Sequence, residues 1–212
     1  MYFFFRFACV ASVLVILASS AVAGPTEDKA DIIRAEQYLN TIKTLKARFT
    51  QISPTGESID GTVYLSRPGK MRFDYDPPSP ILVMANGSFL IYYDKQLRQV
   101  SYIDLDSSIA GVLVRDQVQL DGPDLKLLNI AHAPDLLNIT VAQRKDPSQG
   151  QITLVFTEHP FALRQWKVID AQNQLTTVSL YEPQQGIPLD PELFHFIDPN
   201  AAQSIGPSNH GR

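Results

Sequence analysis

The chain has 212 residues, with 18 Lys and Arg against 22 Asp and Glu, a formal charge of −4 and a single cysteine. No basic cluster stands out, which excludes an electrostatic nucleic-acid footprint and disfavours adsorption to an anionic membrane. That length suits one domain with a substantial core.

Residues 1–23 read as a secretory signal peptide. Arg6 precedes the apolar run Phe7 to Leu17, and Ala21-Val22-Ala23 is a small-x-small cleavage site before Gly24. The apolar run is short for a membrane span, which needs about 20 residues. Cys9 lies inside this leader, so the mature chain has no disulfide, no thiol chemistry and no lipid-modified cysteine. Removal of the leader takes away Arg6 alone among the charged residues, so −4 becomes −5. Residues 24–198 form the expected domain, and 199–212 read as a loose tail.

Thr26 to Leu45 carries a helical stripe of Ile32, Ala35, Leu39, Ile42 and Leu45, with Thr26 as cap. Extended segments follow at Lys46–Ser53 and Gly61–Ser66. In Met71 to Asp76, Met71, Phe73 and Tyr75 face one way and Arg72, Asp74 and Asp76 the other. Asp76-Pro77-Pro78-Ser79-Pro80 ends that strand. Ile81–Ala85 and Phe89–Tyr93 pair across Asn86-Gly87, and Leu97–Leu105 completes an antiparallel meander. Two short helices are expected next, Ser107–Val114 and Asp124–Asn129. Strands return at about 137–145, 151–157, 163–170 and 174–181, with a last short strand at Leu193–Ile197.

The residues show little catalytic chemistry. His132, His159, His195 and His210 form no compact ligand motif, and no nucleophile elbow, Walker loop or dinucleotide fingerprint is present. Asp74 and Asp76 share a strand face, which polar-out patterning accounts for. What remains is an excess of aromatic residues on strands. Such a sheet holds either a filled core or an acyl-binding gap, and periodicity does not distinguish them.

The ordered pieces Phe49-Thr50-Gln51, Gly61 to Tyr75, Ile81 to Val83, Asn86-Gly87, Tyr92-Tyr93-Asp94 and Phe194-His195-Phe196-Ile197-Asp198-Pro199 resemble the outer-membrane lipoprotein carrier family, the LolA-like proteins. The resemblance implies a mainly β fold with α, an open antiparallel β-barrel covered by an N-terminal helix and short lid helices. It implies a soluble, monomeric periplasmic protein, with no enzyme activity, cofactor or metal, that carries acyl chains of triacylated lipoproteins. An inner-membrane lipoprotein-releasing transporter would supply them and an outer-membrane receptor would accept them. Arg67, before Pro68, matches the family arginine that latches the lid through backbone carbonyls, a role suited to five fixed donors. The lid would be Ile109–Val114 and Leu125–Leu128. Ile109, Val112, Leu113, Phe73, Tyr75, Ile91 and Tyr93 would face the lipid. The alternative is an envelope sensor or scaffold that binds a protein partner without transporting lipid.

Overall fold

The structure is a computed structural model that describes residues 25–200. The expected signal peptide at 1–23 and all but the first two residues of the expected tail lie outside the described residues.

Helix α1 (Pro25–Thr41) begins with proline, whose missing N–H costs nothing at a helix start, and Glu27 and Asp28 complement the positive end of its dipole. Thr26 therefore lies within the first turn rather than capping it. The helix stops at Thr41, earlier than its apolar stripe suggests. Ile42 follows it, and Leu45 already belongs to β1 (Thr44–Ile52). Both remain buried, so the stripe runs on in burial while the backbone changes from helix to strand.

The next five strands are β2 (Ser58–Ser66), β3 (Lys70–Tyr75), β4 (Ile81–Asn86), β5 (Phe89–Asp94) and β6 (Gln99–Asp104). After a 3₁₀ segment, Ile109–Val114, come β7 (Leu125–Ala133), β8 (Leu136–Gln143), β9 (Gly150–Glu158), β10 (Phe161–Asp170) and β11 (Leu175–Gln185). They form one 11-stranded sheet in the order β6-β5-β4-β3-β2-β1-β11-β10-β9-β8-β7. Each ladder among the described residues is antiparallel, and β1 joins the two meanders by pairing with both β2 and β11. β6 and β7 do not pair with each other, so the barrel is open. The chain from Leu105 to Asp124 connects these two free edges.

Register sorts the side chains. Ala47, Val63, Phe73 and Val83 lie opposite one another along one face, as do Leu45, Leu65, Met71 and Ala85. This inner face meets Val178, Trp166, Leu154 and Ile139 from the second meander. Ala35 and Leu39 of α1 and the 3₁₀ residues Ile109, Val112 and Leu113 complete one core with it. Gly61 makes room at the centre: a Cβ there would sit 2.6 Å from the Phe49 ring.

Two expected elements are different. Leu125–Leu128 is not a lid helix but the start of edge strand β7, with Leu125 opposite Gln143 and Leu127 opposite Val141. The register shifts between Leu127 and Asn129, and this bulge breaks the two-residue alternation that would have marked a strand. Leu193–Ile197 is not a strand either. A 3₁₀ turn, Pro191–Phe194, occupies that region, started by Asp190, whose carboxylate accepts from Glu192 N at 3.0 Å.

Candidate functional site

The site is built where α1, the 3₁₀ segment and the inner face of β1 to β3 meet. Phe49 packs edge-on against Phe73 and Tyr75 at centroid distances of 5.1 and 5.2 Å, and Phe73 meets Trp166 at 6.2 Å. The Tyr75 hydroxyl donates to Gln51 Oε1 at 2.8 Å. Burial pushes the Tyr75 pKa up to about 12, with the neighbouring Tyr92 adding to the rise. Ile109, Val112 and Leu113 close the core from above. Phe73, Trp166, Ile109, Val112 and Leu113 are each no more than 6% exposed.

Arg67 lies just past the end of β2, held there by its own N–H to Lys43 O at 2.9 Å. Its Nε donates to Leu113 O at 3.0 Å and its Nη1 to Leu39 O at 2.6 Å. One guanidinium thus joins the last turns of α1 and of the 3₁₀ segment. Burial lowers its pKa to about 10, partly offset by Asp116, so it is charged at neutral pH. Both bonds are therefore charge-assisted. Gly69 N–H adds a 2.7 Å bond to Val114 O. Its φ of +76° and a Gly87 Cα 2.8 Å from any added Cβ make this a glycine position.

The structure brings Arg67, Phe73, Tyr75, Ile109, Val112 and Leu113 together. It does not bring Ile91 and Tyr93 to them. Ile91 is opposite Met84, which is opposite Arg72, and Tyr93 is opposite Leu82, which is opposite Asp74. Both therefore lie on the outer face, and their expected lipid-facing placement is corrected. The 3₁₀ turn Pro191–Phe194 lies against β3 and β4 on that side. Phe196 packs on Tyr93 at 5.6 Å, and Arg72 Nη1 donates to Leu193 O at 3.0 Å. Residues not anticipated for the site are Val118 and Leu120, 1% and 0% exposed. Their alternation with Gln117 and Gln119 was the available signal.

Other chemistry is accounted for elsewhere. Asp74 pairs with Arg72 at 2.8 Å and Asp76 with Arg48, so each carboxylate has its own arginine. Among the described residues no three His, Cys, Asp or Glu side chains gather as metal ligands. A cleft of about 950 Å³ borders the 3₁₀ segment, but Asp104, Asp106, Asp116, Asp124, Asp146 and Lys145 in its lining make it a poor place for hydrocarbon.

Residues 40–197 match the family described as outer membrane lipoprotein carrier protein LolA. The chain belongs to the LolA family. An outer-membrane lipoprotein carrier protein from Pseudomonas aeruginosa is 34% identical over 200 residues, covering 89% of this chain and 94% of that protein. One of the same description from Methylococcus capsulatus is 27% identical over 175 residues, covering 78% and 83%. A solved DUF1329 family protein from Desulfovibrio piger superposes with a TM-score of 0.50 at 11% identity, covering 82% of this chain and 98% of that one, a likeness of fold. This LolA-family protein is periplasmic and soluble, and its family is one of carriers rather than enzymes. No described helix is long and apolar enough to cross a membrane.

Proposed function

We propose that this LolA-family protein encloses the acyl chains of triacylated lipoproteins between its inner sheet face and the segment Ile109–Val114, and carries them from the inner to the outer membrane. An inner-membrane lipoprotein-releasing transporter loads it and an outer-membrane receptor unloads it. The observation that carries this reading is the fastening of an apolar cover. Ile109, Val112 and Leu113 are buried against the aromatic inner face, while Arg67 and Gly69 hold the cover through its backbone carbonyls. Arg67 is the latch.

The magnitudes are compatible with exchange. Exposing Ile109, Val112 and Leu113 costs on the order of 1.5–3 kcal/mol each. An incoming acyl chain returns about 0.8 kcal/mol per buried CH₂, so roughly ten methylenes offset the displaced cover. Release of the two Arg67 bonds adds about 1.5–3 kcal/mol each, so the several chains of a triacylated cargo together open the site and hold it open. Reclosure of the cover at the acceptor membrane offsets part of the cost of release.

The test is native purification from the envelope with mass spectrometry, together with release of lipoproteins from spheroplasts. Triacylated lipoproteins are expected in both. A folded protein that yields neither, and instead forms a one-to-one complex with an envelope protein free of lipid, supports the sensor reading and ends the carrier one.

A further inference from the structure

The strap from Leu105 to Asp124 is fixed near both ends. Gln143 Nε2 donates to Asp106 O at 3.0 Å, and Arg144 Nε donates to Gly122 O at 3.0 Å. Between these points it sends two plugs into the core. The first is the 3₁₀ segment, held to the sheet by Arg67 and Gly69. The second is Val118 and Leu120, and its polar fastenings are on the helix. Asn40 Nδ2 donates to Val118 O at 3.1 Å while Asn40 Oδ1 accepts from Val118 N at 2.8 Å. Glu36 Oε1 accepts from Leu120 N at 2.6 Å. Glu36 and Asn40 are four apart on α1, one turn above the other, so they present a short ladder of acceptors and donors to the strap backbone at Val118 and Leu120. An asparagine amide offers the same paired donor and acceptor as a peptide group. A carboxylate on a backbone N–H is a charge-assisted bond, stronger than a neutral one.

Among the remaining polar ties of α1 to the sheet, Tyr38 Oη accepts from Gln185 Nε2 on β11 at 2.8 Å, near the same end as Asn40, and two more lie nearer the middle of the helix. Arg34 bridges to Glu158 on β9 at 2.8 Å, and Asp31 lies 3.1 Å from His132 Nε2 on β7. Arg67 alone links the sheet to both the Leu39 carbonyl of α1 and the Leu113 carbonyl of the strap. We infer that Glu36 and Asn40 are positioning residues that fasten the second plug to α1, so that helix and strap part from the sheet together when Arg67 lets go. The functional meaning of that motion rests on the carrier reading. The coupling itself does not, because it is measurable without lipid.

Native-state hydrogen exchange, resolved by residue, separates the alternatives in the unmodified mature protein. Gly69 N–H is bonded across the interface that would part, to Val114 O, whereas Val118 and Leu120 N–H are bonded within the moving body. Protection at Val118 and Leu120 is expected to exceed that at Gly69 by about tenfold or more. Arg67→Leu should lower protection at Gly69 and leave the other two unchanged. Asn40→Ala and Glu36→Gln should bring Val118 and Leu120 toward the Gly69 value. Equal or lower protection at Val118 and Leu120 in the unmodified protein, or an equal loss at all three in Arg67→Leu, means that the strap peels away from α1 and overturns the inference. If no lipoprotein copurifies, the carrier reading fails while this exchange pattern still decides the coupling.

Discussion

Arg67 donates to two carbonyls, of which Leu39 O also accepts from Ile42 N at 3.2 Å. Loss of its hydrogen bonds should cost the closed state about 1.5–3 kcal/mol per bond, the range for bonds to charged groups. The expected result of Arg67→Leu is a protein that still takes up lipoprotein but hands it on about tenfold more slowly or worse, because reclosure no longer helps expel the cargo. Lipoprotein delivery to acceptor outer membranes measures this, and unchanged delivery removes Arg67 from the latch role. Tyr75 makes a separate prediction. Its pKa is raised to about 12 in the folded protein against about 10 unfolded, so the unfolded chain loses its proton first. The associated stability is complete below about pH 10 and is lost as pH rises through about 12, amounting to about 2–3 kcal/mol. Arg67, lowered to about 10, acts in the opposite direction from there up to its ordinary value. The difference between wild type and Tyr75→Phe in denaturant midpoint across that range therefore isolates the tyrosine, and a pH-independent difference contradicts its burial.

Strand elements were legible where one face is polar and obscure where both are covered. Met71 to Asp76 alternates cleanly, and Phe73 and Tyr75 take the faces that alternation assigns. Phe89 to Tyr93 is apolar throughout, since the C-terminal segment covers the outer face of that region, so nothing in the run says which way Ile91 points. The edge strand β7 was hidden for another reason, its bulge at Leu127 and Asn129. The ties of Asn40 and Glu36 to the strap had no sequence signal, because they join a side chain to backbone 78 and 84 residues away. The facing of Ile91 and Leu113 can be tested as a pair. Ile91→Ala should lower stability by about 2–5 kcal/mol and leave lipopeptide uptake by the folded fraction unchanged. Leu113→Ala removes packing that the closed cover has and the open one lacks, so it should speed uptake several-fold. Equal effects of the two on uptake would reverse the assignment of faces.

Across the whole molecule, one open sheet has to serve as both rigid frame and container. Pairing of β1 with β11 joins the two meanders at the middle, while among the described residues the edges β6 and β7 do not pair and the strap connects them. A closed barrel would have no such bridge to release. This architecture places Trp166, the only tryptophan in the chain, on the second meander facing Phe73 on the first. An acyl chain entering between cover and sheet reaches that pair, since both rings are buried on the inner face. Its fluorescence should therefore respond to loading with no added label. Titration with a synthetic triacylated lipopeptide is expected to shift Trp166 emission saturably, and the matched peptide without acyl chains should leave it unchanged. Saturable lipopeptide binding by an independent method, with no change in Trp166 emission, would put the hydrocarbon outside the inner face and require a different site on the same fold.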